Sequence, residues 1–192
     1  MSLDETLFLW INGFAGKFTT LDIFMQGFAN DYFFIVSACL VLLAIWFGTR
    51  EAKQREKSQK AVMCVLLSVG IAQMFVQLST VFYFRPRPFA ELDMNLLFQQ
   101  PTDSSFPSNS AVVIFAIAVA IFLADRKAGT LLLSLAVLHG LARIYVGIHY
   151  PLDVLVGAAI GAVTSLLVYR LARVLEPWPS RLLEFMRKFY LA

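Results

Sequence analysis

The sequence predicts an all-α, polytopic membrane bundle of about five transmembrane helices, preceded by an amphipathic helix at the membrane interface. Three observations predict it. Of 192 residues, 59% are hydrophobic and the mean hydropathy is +0.71, more than a soluble core requires. Five apolar stretches run at about 32–48, 61–84, 111–124, 130–148 and 152–175, most of them near the ~20 residues that a helix needs to cross hydrocarbon. Basic residues collect in alternate connections between them, as loops on one side of a bilayer do.

In chain order, residues 1–30 form the interfacial segment. Residues 3–14 (LDETLFLWINGF) start with Asp4 and Glu5 and interleave Leu, Phe, Trp and Ile, and residues 20–28 resemble them. Neither stretch is long enough to cross, and Trp10 suits the headgroup level. A signal peptide is the poorer reading, because no basic n-region precedes and no small-residue cleavage site follows. Residues 31–175 make the transmembrane domain, and 176–192 an amphipathic tail. The third apolar stretch is short, so it is expected to extend into 107–110 or to sit inside the bundle.

Charge sets the expected orientation. Arg50, Lys53, Arg55, Lys57 and Lys60 crowd the first connection, Arg126 and Lys127 the turn before the fourth stretch, and Arg173, Arg181, Arg187 and Lys188 the tail. The positive-inside bias puts all three in the cytoplasm. The N-terminal segment, the loop 85–110 and the corner at His149 then share the opposite face. The run 50–60 itself reads as a solvated loop. Cys39 and Cys64 fall within apolar stretches as small apolar residues, and two cysteines with two histidines supply no metal-ligand cluster.

Three polar motifs meet on that face. Arg143 stands six positions before His149, and Asp153 four after it, in ALARIYVGIHYPLD. A guanidinium forks onto two phosphate oxygens, an imidazole can attack phosphorus, and a carboxylate can orient the attacker. Asp153, within a turn of the corner, is expected to accept the Nδ1–H of His149 and leave Nε2 free. Arg85 and Arg87, stiffened by Pro86 and Pro88, add cations for a phosphate; the bland alternative is that they only snorkel at a helix end. Ser108 and Asn109 precede an apolar helix, where backbone N–H groups can face an anion, or where the segment only caps the helix. His139 lies one turn before Arg143 and deeper, a buried polar residue or a proton donor.

These motifs resemble those of the type-2 phosphatidic acid phosphatase (PAP2) superfamily, whose pattern is K-x6-RP, PSGH and SR-x5-H-x3-D. Arg87-Pro88, Pro107-Ser108 and Arg143, His149, Asp153 match in order, from about the second span to the fifth. The layout and the GIHYPLD corner look most like bacterial undecaprenyl-diphosphatases of this superfamily. The resemblance implies a plasma-membrane hydrolase acting on a lipid phosphate or diphosphate at the extracytoplasmic face, not on nucleic acid. It further implies attack by His149, a phosphohistidine intermediate, phosphate binding by Arg87 and Arg143, and no metal or other cofactor.

The chain departs from the pattern at three positions. Thr80 stands where the family has Lys, a loss that Arg85 would partly offset, and Ala142 replaces a Ser. Ser110 stands where the family has the His that protonates the leaving oxygen. General acid catalysis contributes roughly 10²–10⁴-fold. A lipid monophosphate leaving from a diphosphate needs that proton less than an alkoxide does, so the chemistry favours diphosphates. The alternatives are an acid-deficient form that binds lipid phosphate without turnover, and a phosphatase acting on phosphatidylglycerophosphate or phosphatidate. Phe89, Phe98 and Phe106 are expected to flank the lipid.

Overall fold

The computed structural model describes residues 2–48 and 50–189. Its helices are α1 (Leu3–Asn12), α2 (Thr19–Ala29), α3 (Asp31–Phe47), α4 (Ala52–Phe82), α5 (Pro88–Glu91), α6 (Asn109–Ala124), α7 (Arg126–Tyr145), α8 (Pro151–Val174) and α9 (Trp178–Arg187). The expected all-helical membrane bundle is what the chain forms. Helices α4, α7 and α8 are each long and apolar enough to cross a membrane, while α2 and α3 qualify only together, bent by 53°. Asn30 makes that bend a true break: its side chain accepts hydrogen bonds from the N–H groups of Tyr32 and Phe33 and so starts α3 afresh.

The expected count of five spans is therefore approximate. Helix α6 has 16 residues, or about 24 Å, against ~30 Å of hydrocarbon. It sits inside the bundle instead, wrapped by α4, α7 and α8. Its contact with α8 depends on glycine. A Cβ on Gly161 would lie 2.4 Å from the Val112 carbonyl oxygen, and one on Gly157 2.7 Å from that of Ser108. The two backbones thus touch where side chains are smallest, the usual device for helices in lipid. Ser165 Oγ donates to the Ala116 carbonyl at 2.8 Å across the same seam.

The charged run expected as a loop is helical. Helix α4 has 31 residues, about 46 Å, so its first turns project beyond the apolar span. Ala, Lys, Gln, Arg and Glu are strong helix formers, and Lys60 pairs with Glu56 one turn earlier at 3.1 Å. Lys60 also reaches Glu176 at 2.7 Å, and Leu183 of α9 is buried against Trp46, Val62 and Val65. At the other end of the bundle, α1 packs on α7 and α8 and buries Phe8 against Tyr150.

Candidate active site

The end of α7 and the start of α8 build the corner that holds the site. Gly147 turns the chain with φ of 93°, a left-handed value that favours glycine, and a Cβ there would strike Met94 Cε. The turn delivers His149 to the bundle interior, 1% exposed. Its Nδ1 lies 2.9 Å from the carbonyl oxygen of Ser105. A carbonyl only accepts, so Nδ1 carries the hydrogen and Nε2 holds a lone pair.

That lone pair faces two cations. Nε2 is 3.1 Å from a terminal nitrogen of Arg143 and 3.4 Å from one of Arg87, both guanidinium groups nearly buried. Burial and then the charges of Arg143 and Arg87 drive the imidazole pKa well below the ordinary histidine range. The ring is therefore neutral. Arg143 is held by Asp31 Oδ2 at 2.7 Å and the Ala29 carbonyl at 3.2 Å. Arg87 is held by the carboxylate of Asp103 at 2.9 Å and the carbonyl of Ile148 at 2.8 Å.

Asp153 does not touch His149, contrary to the expected direct bond. Its Oδ2 accepts from Ser105 Oγ at 2.5 Å and from the N–H of Tyr150 at 3.1 Å. At the third position of α8 the carboxylate folds back on the helix start, as acidic residues there commonly do. It supports His149 through Ser105, whose hydroxyl it holds while the Ser105 carbonyl holds the ring. Ser105 has no counterpart in the sequence reading; it lies in a loop distant in sequence from both partners.

Arg85 is a second correction. Its guanidinium pairs with Asp153 at 2.6 Å and Asp4 at 2.7 Å and lies 4.0 Å over the Tyr150 ring. Two carboxylates satisfy it, so it props Asp153 and is not offered to a phosphate. Asp4 also accepts from the N–H of Leu152 at 2.8 Å. The N-terminal helix thereby joins the support of the site.

A cavity of about 160 Å³ opens beside His149, lined by Arg87, Arg143, Asp31, Asp103, Asn109, Ser110 and the apolar Ile35, Phe98, Pro101 and Val113. Pockets that enclose whole drug-sized ligands hold roughly 300–1,000 Å³, so this one suits a head group. Ser108 stands at the helix N-cap position but makes no capping bond, and its hydroxyl and that of Ser110 are buried without a hydrogen-bond partner among the described residues. The Ser108 N–H is taken by the Asp153 carbonyl at 3.0 Å and so is not free for an anion. Asn109 accepts from Gln73 at 2.7 Å at the cavity wall. Thr80 bonds its own helix at the Gln77 carbonyl, 2.9 Å. Of the three phenylalanines, Phe98 lines the cavity, Phe89 packs on the cluster around Tyr145, and Phe106 meets Tyr83 edge-on. Among the described residues, no group of three or more His, Cys, Asp or Glu is disposed to hold a metal ion.

Fold and site together define an integral membrane protein with a buried histidine whose Nε2 faces two arginines. Comparison with known proteins agrees: the PAP2 superfamily model matches residues 61–176, and the chain belongs to that superfamily. It is 35% identical over 178 residues to undecaprenyl-diphosphatase BcrC of Bacillus subtilis (strain 168), covering 92% of this chain and 88% of that protein. It is 33% identical over 140 residues to the putative undecaprenyl-diphosphatase YbjG of Escherichia coli (strain K12), covering 72% of this chain and 67% of that one. The crystal structure of Aquifex aeolicus LpxE superposes with a TM-score of 0.73 at 31% identity, covering 88% of this chain and 96% of that chain. A PAP2-type phosphatidylglycerolphosphate phosphatase from Bacillus subtilis shares the fold, with a TM-score of 0.68 at 20% identity over 91% of this chain and 86% of that one.

Proposed function

We propose that this membrane phosphatase of the PAP2 superfamily removes the terminal phosphate of a polyprenyl diphosphate, with undecaprenyl diphosphate the foremost candidate. The observation that carries the reading is the neutral His149 Nε2 facing Arg143 and Arg87 at 3.1 and 3.4 Å. A phosphoryl group held by both guanidinium groups presents its phosphorus to that lone pair. The Nε2–P bond forms as the bridging P–O bond breaks, and its electron pair leaves with the lipid monophosphate. Water then attacks phosphorus, the P–N bond breaks, and orthophosphate departs. The Ser105 carbonyl keeps Nδ1 protonated throughout and supports the developing imidazolium charge.

The identities to the two undecaprenyl-diphosphatases support the substrate assignment. The basic start of α4 lies at the end of the bundle remote from His149, which supports a site at the extracytoplasmic face of a bacterial plasma membrane. Orthophosphate release from polyprenyl diphosphate and from phosphatidate, without added metal and alongside His149→Ala, tests the reading. Release that is lost in the variant supports it; release that persists contradicts it. A second reading, a binder without turnover, has one observation in its favour: Ser110 in the acid position, its hydroxyl buried with no hydrogen-bond partner among the described residues.

A further inference from the structure

The end of the bundle remote from His149 holds a cavity of about 290 Å³ between α4 and α8, under the start of α9. On α4 it is lined by Lys57, Lys60, Cys64 and Leu67, which stand three or four residues apart on one face. On α8 it is lined by Tyr169 and Arg173. Tyr169 lies 18 residues beyond Pro151 in that helix, about 27 Å from the corner that carries His149.

Both walls are graded in the same sense. Helix α4 starts at this end and α8 finishes here, so Lys57, Lys60 and Arg173 are the outer positions and Cys64, Leu67 and Tyr169 the deeper ones. Cations thus rim a floor that is apolar and aromatic. Leu67 is 55% exposed within a helix apolar enough to span the membrane, so the deep end opens toward hydrocarbon. Helix α9 fixes the level of the rim. Trp178, Leu182, Phe185 and Phe189 recur at i, i+4, i+7 and i+11 and are all exposed, while Leu183 packs on the bundle. A helix with such a stripe lies in the membrane interface, with Trp178 at head-group depth.

The charges select what fits. Lys60 is bound to Glu176 at 2.7 Å and Glu56 at 3.1 Å. Glu176, the one carboxylate of the lining, also accepts from Ser180 Oγ at 3.0 Å, so an ammonium head group would find no free acceptor there. Lys57 and Arg173 are left for a ligand. Among the described residues neither side chain forms an ion pair or hydrogen bond, and Arg173 rests 4.8 Å over the Tyr169 ring. One phosphodiester carries one negative charge, which an ammonium and a guanidinium from two helices can share.

We propose that this cavity binds an anionic glycerophospholipid of the leaflet opposite the catalytic site, its phosphodiester between Lys57 and Arg173 and an acyl chain over Cys64 and Leu67. The bound lipid ties α4 to α8 beneath α9 and takes no part in the hydrolysis at the other end. It binds to the membrane fold, whatever reaction His149 performs.

Native mass spectrometry of the detergent-purified protein, titrated with phosphatidylglycerol and with phosphatidylethanolamine of the same chains, tests the site. Phosphatidylglycerol is expected to bind more tightly. Lys57→Gln and Arg173→Gln are each expected to weaken it roughly fivefold, the equivalent of one basic residue's attraction to anionic lipid, and to leave phosphatidylethanolamine unchanged; Lys57→Arg, which keeps the charge, should retain binding. Arg126→Gln, at the same end but outside the cavity, and Arg143→Gln, at the catalytic end, should not alter the affinity. Equal affinity for the two lipids, or an equal loss in Arg126→Gln, would reduce the effect to general surface charge and overturn the proposal. A loss confined to Arg143→Gln would put the lipid in the catalytic cavity and overturn it as well. The unfolding temperature of each variant without lipid separates lost binding from lost folding. Turnover enters none of these readouts, so a failure of the hydrolytic reading leaves them intact.

Discussion

Asp153 reaches His149 through Ser105: the carboxylate binds the serine hydroxyl at 2.5 Å, and the serine carbonyl binds the ring Nδ1 at 2.9 Å. The tautomer of the nucleophile is thus set by a backbone carbonyl. Replacing the carboxylate should disturb where that carbonyl sits, not which nitrogen carries the hydrogen. Asp153→Asn is expected to lower kcat roughly 10–100-fold, by analogy with the partners that orient metal-bound histidines. It should also cost about 1–3 kcal/mol of stability through the weakened Arg85 pair. Ser105→Ala keeps the carbonyl but cuts the same link at the hydroxyl, and is expected to lose about as much activity as Asp153→Asn. Steady-state kinetics of the two variants decide; a Ser105→Ala enzyme as active as the wild type would contradict the relay.

The pH profile follows from the environment of His149. Burial, then Arg143 and Arg87, hold its pKa well below the ordinary range. A depressed pKa keeps the nucleophile neutral as pH falls through about 6.5, where a free imidazole protonates. The acid limb of kcat/KM, which reports the free enzyme, should therefore lie below that pH. Arg143→Gln removes one of the two cations and should move the limb upward, in addition to weakening substrate binding. A limb that stays in place would assign it to another group.

Ser110→His tests the acid position directly. The new imidazole would enter the cavity that Ser110 lines, beside His149. The gain should be larger for phosphatidate, whose leaving alkoxide is strongly basic, than for a diphosphate. Equal gains on both substrates would contradict the view that Ser110 biases the chain toward diphosphates.

The α6–α8 seam positions Ser108 and Ser110 against the corner of α8, and its glycines set the spacing. Gly161→Ala places a methyl 2.4 Å from a backbone oxygen, whereas Gly70→Ala meets nothing within 4 Å. The first should destabilise by about 1–3 kcal/mol, the cost of overpacking, and the second should not. Thermal unfolding in one detergent compares them.

Much of this was legible in the residues. Apolar runs located the long helices, and the Arg143, His149, Asp153 spacing pointed to the corner, because both signals are local. What closes the site is not local. Ser105, Asp103, Asp31 and Asp4 come from a long loop, a helix break and the N-terminus, and no periodicity connects them to His149. Spacing alone pairs Asp153 with His149, although a local signal points elsewhere: after Pro151 at the first helical position, Asp153 occupies the third, where a carboxylate turns back to the helix start. In the sequence Arg85 resembles a phosphate ligand because a cation in a proline-rich loop looks unpaired until Asp4 is folded beside it.

The most direct test of the central claim is to quench the protein during turnover of polyprenyl diphosphate carrying a radiolabelled terminal phosphate, and to ask where the label sits. The account predicts an acid-labile, base-stable phosphoprotein labelled at His149 and absent from His149→Ala. Turnover with no labelled protein, or label that persists in His149→Ala, would contradict it.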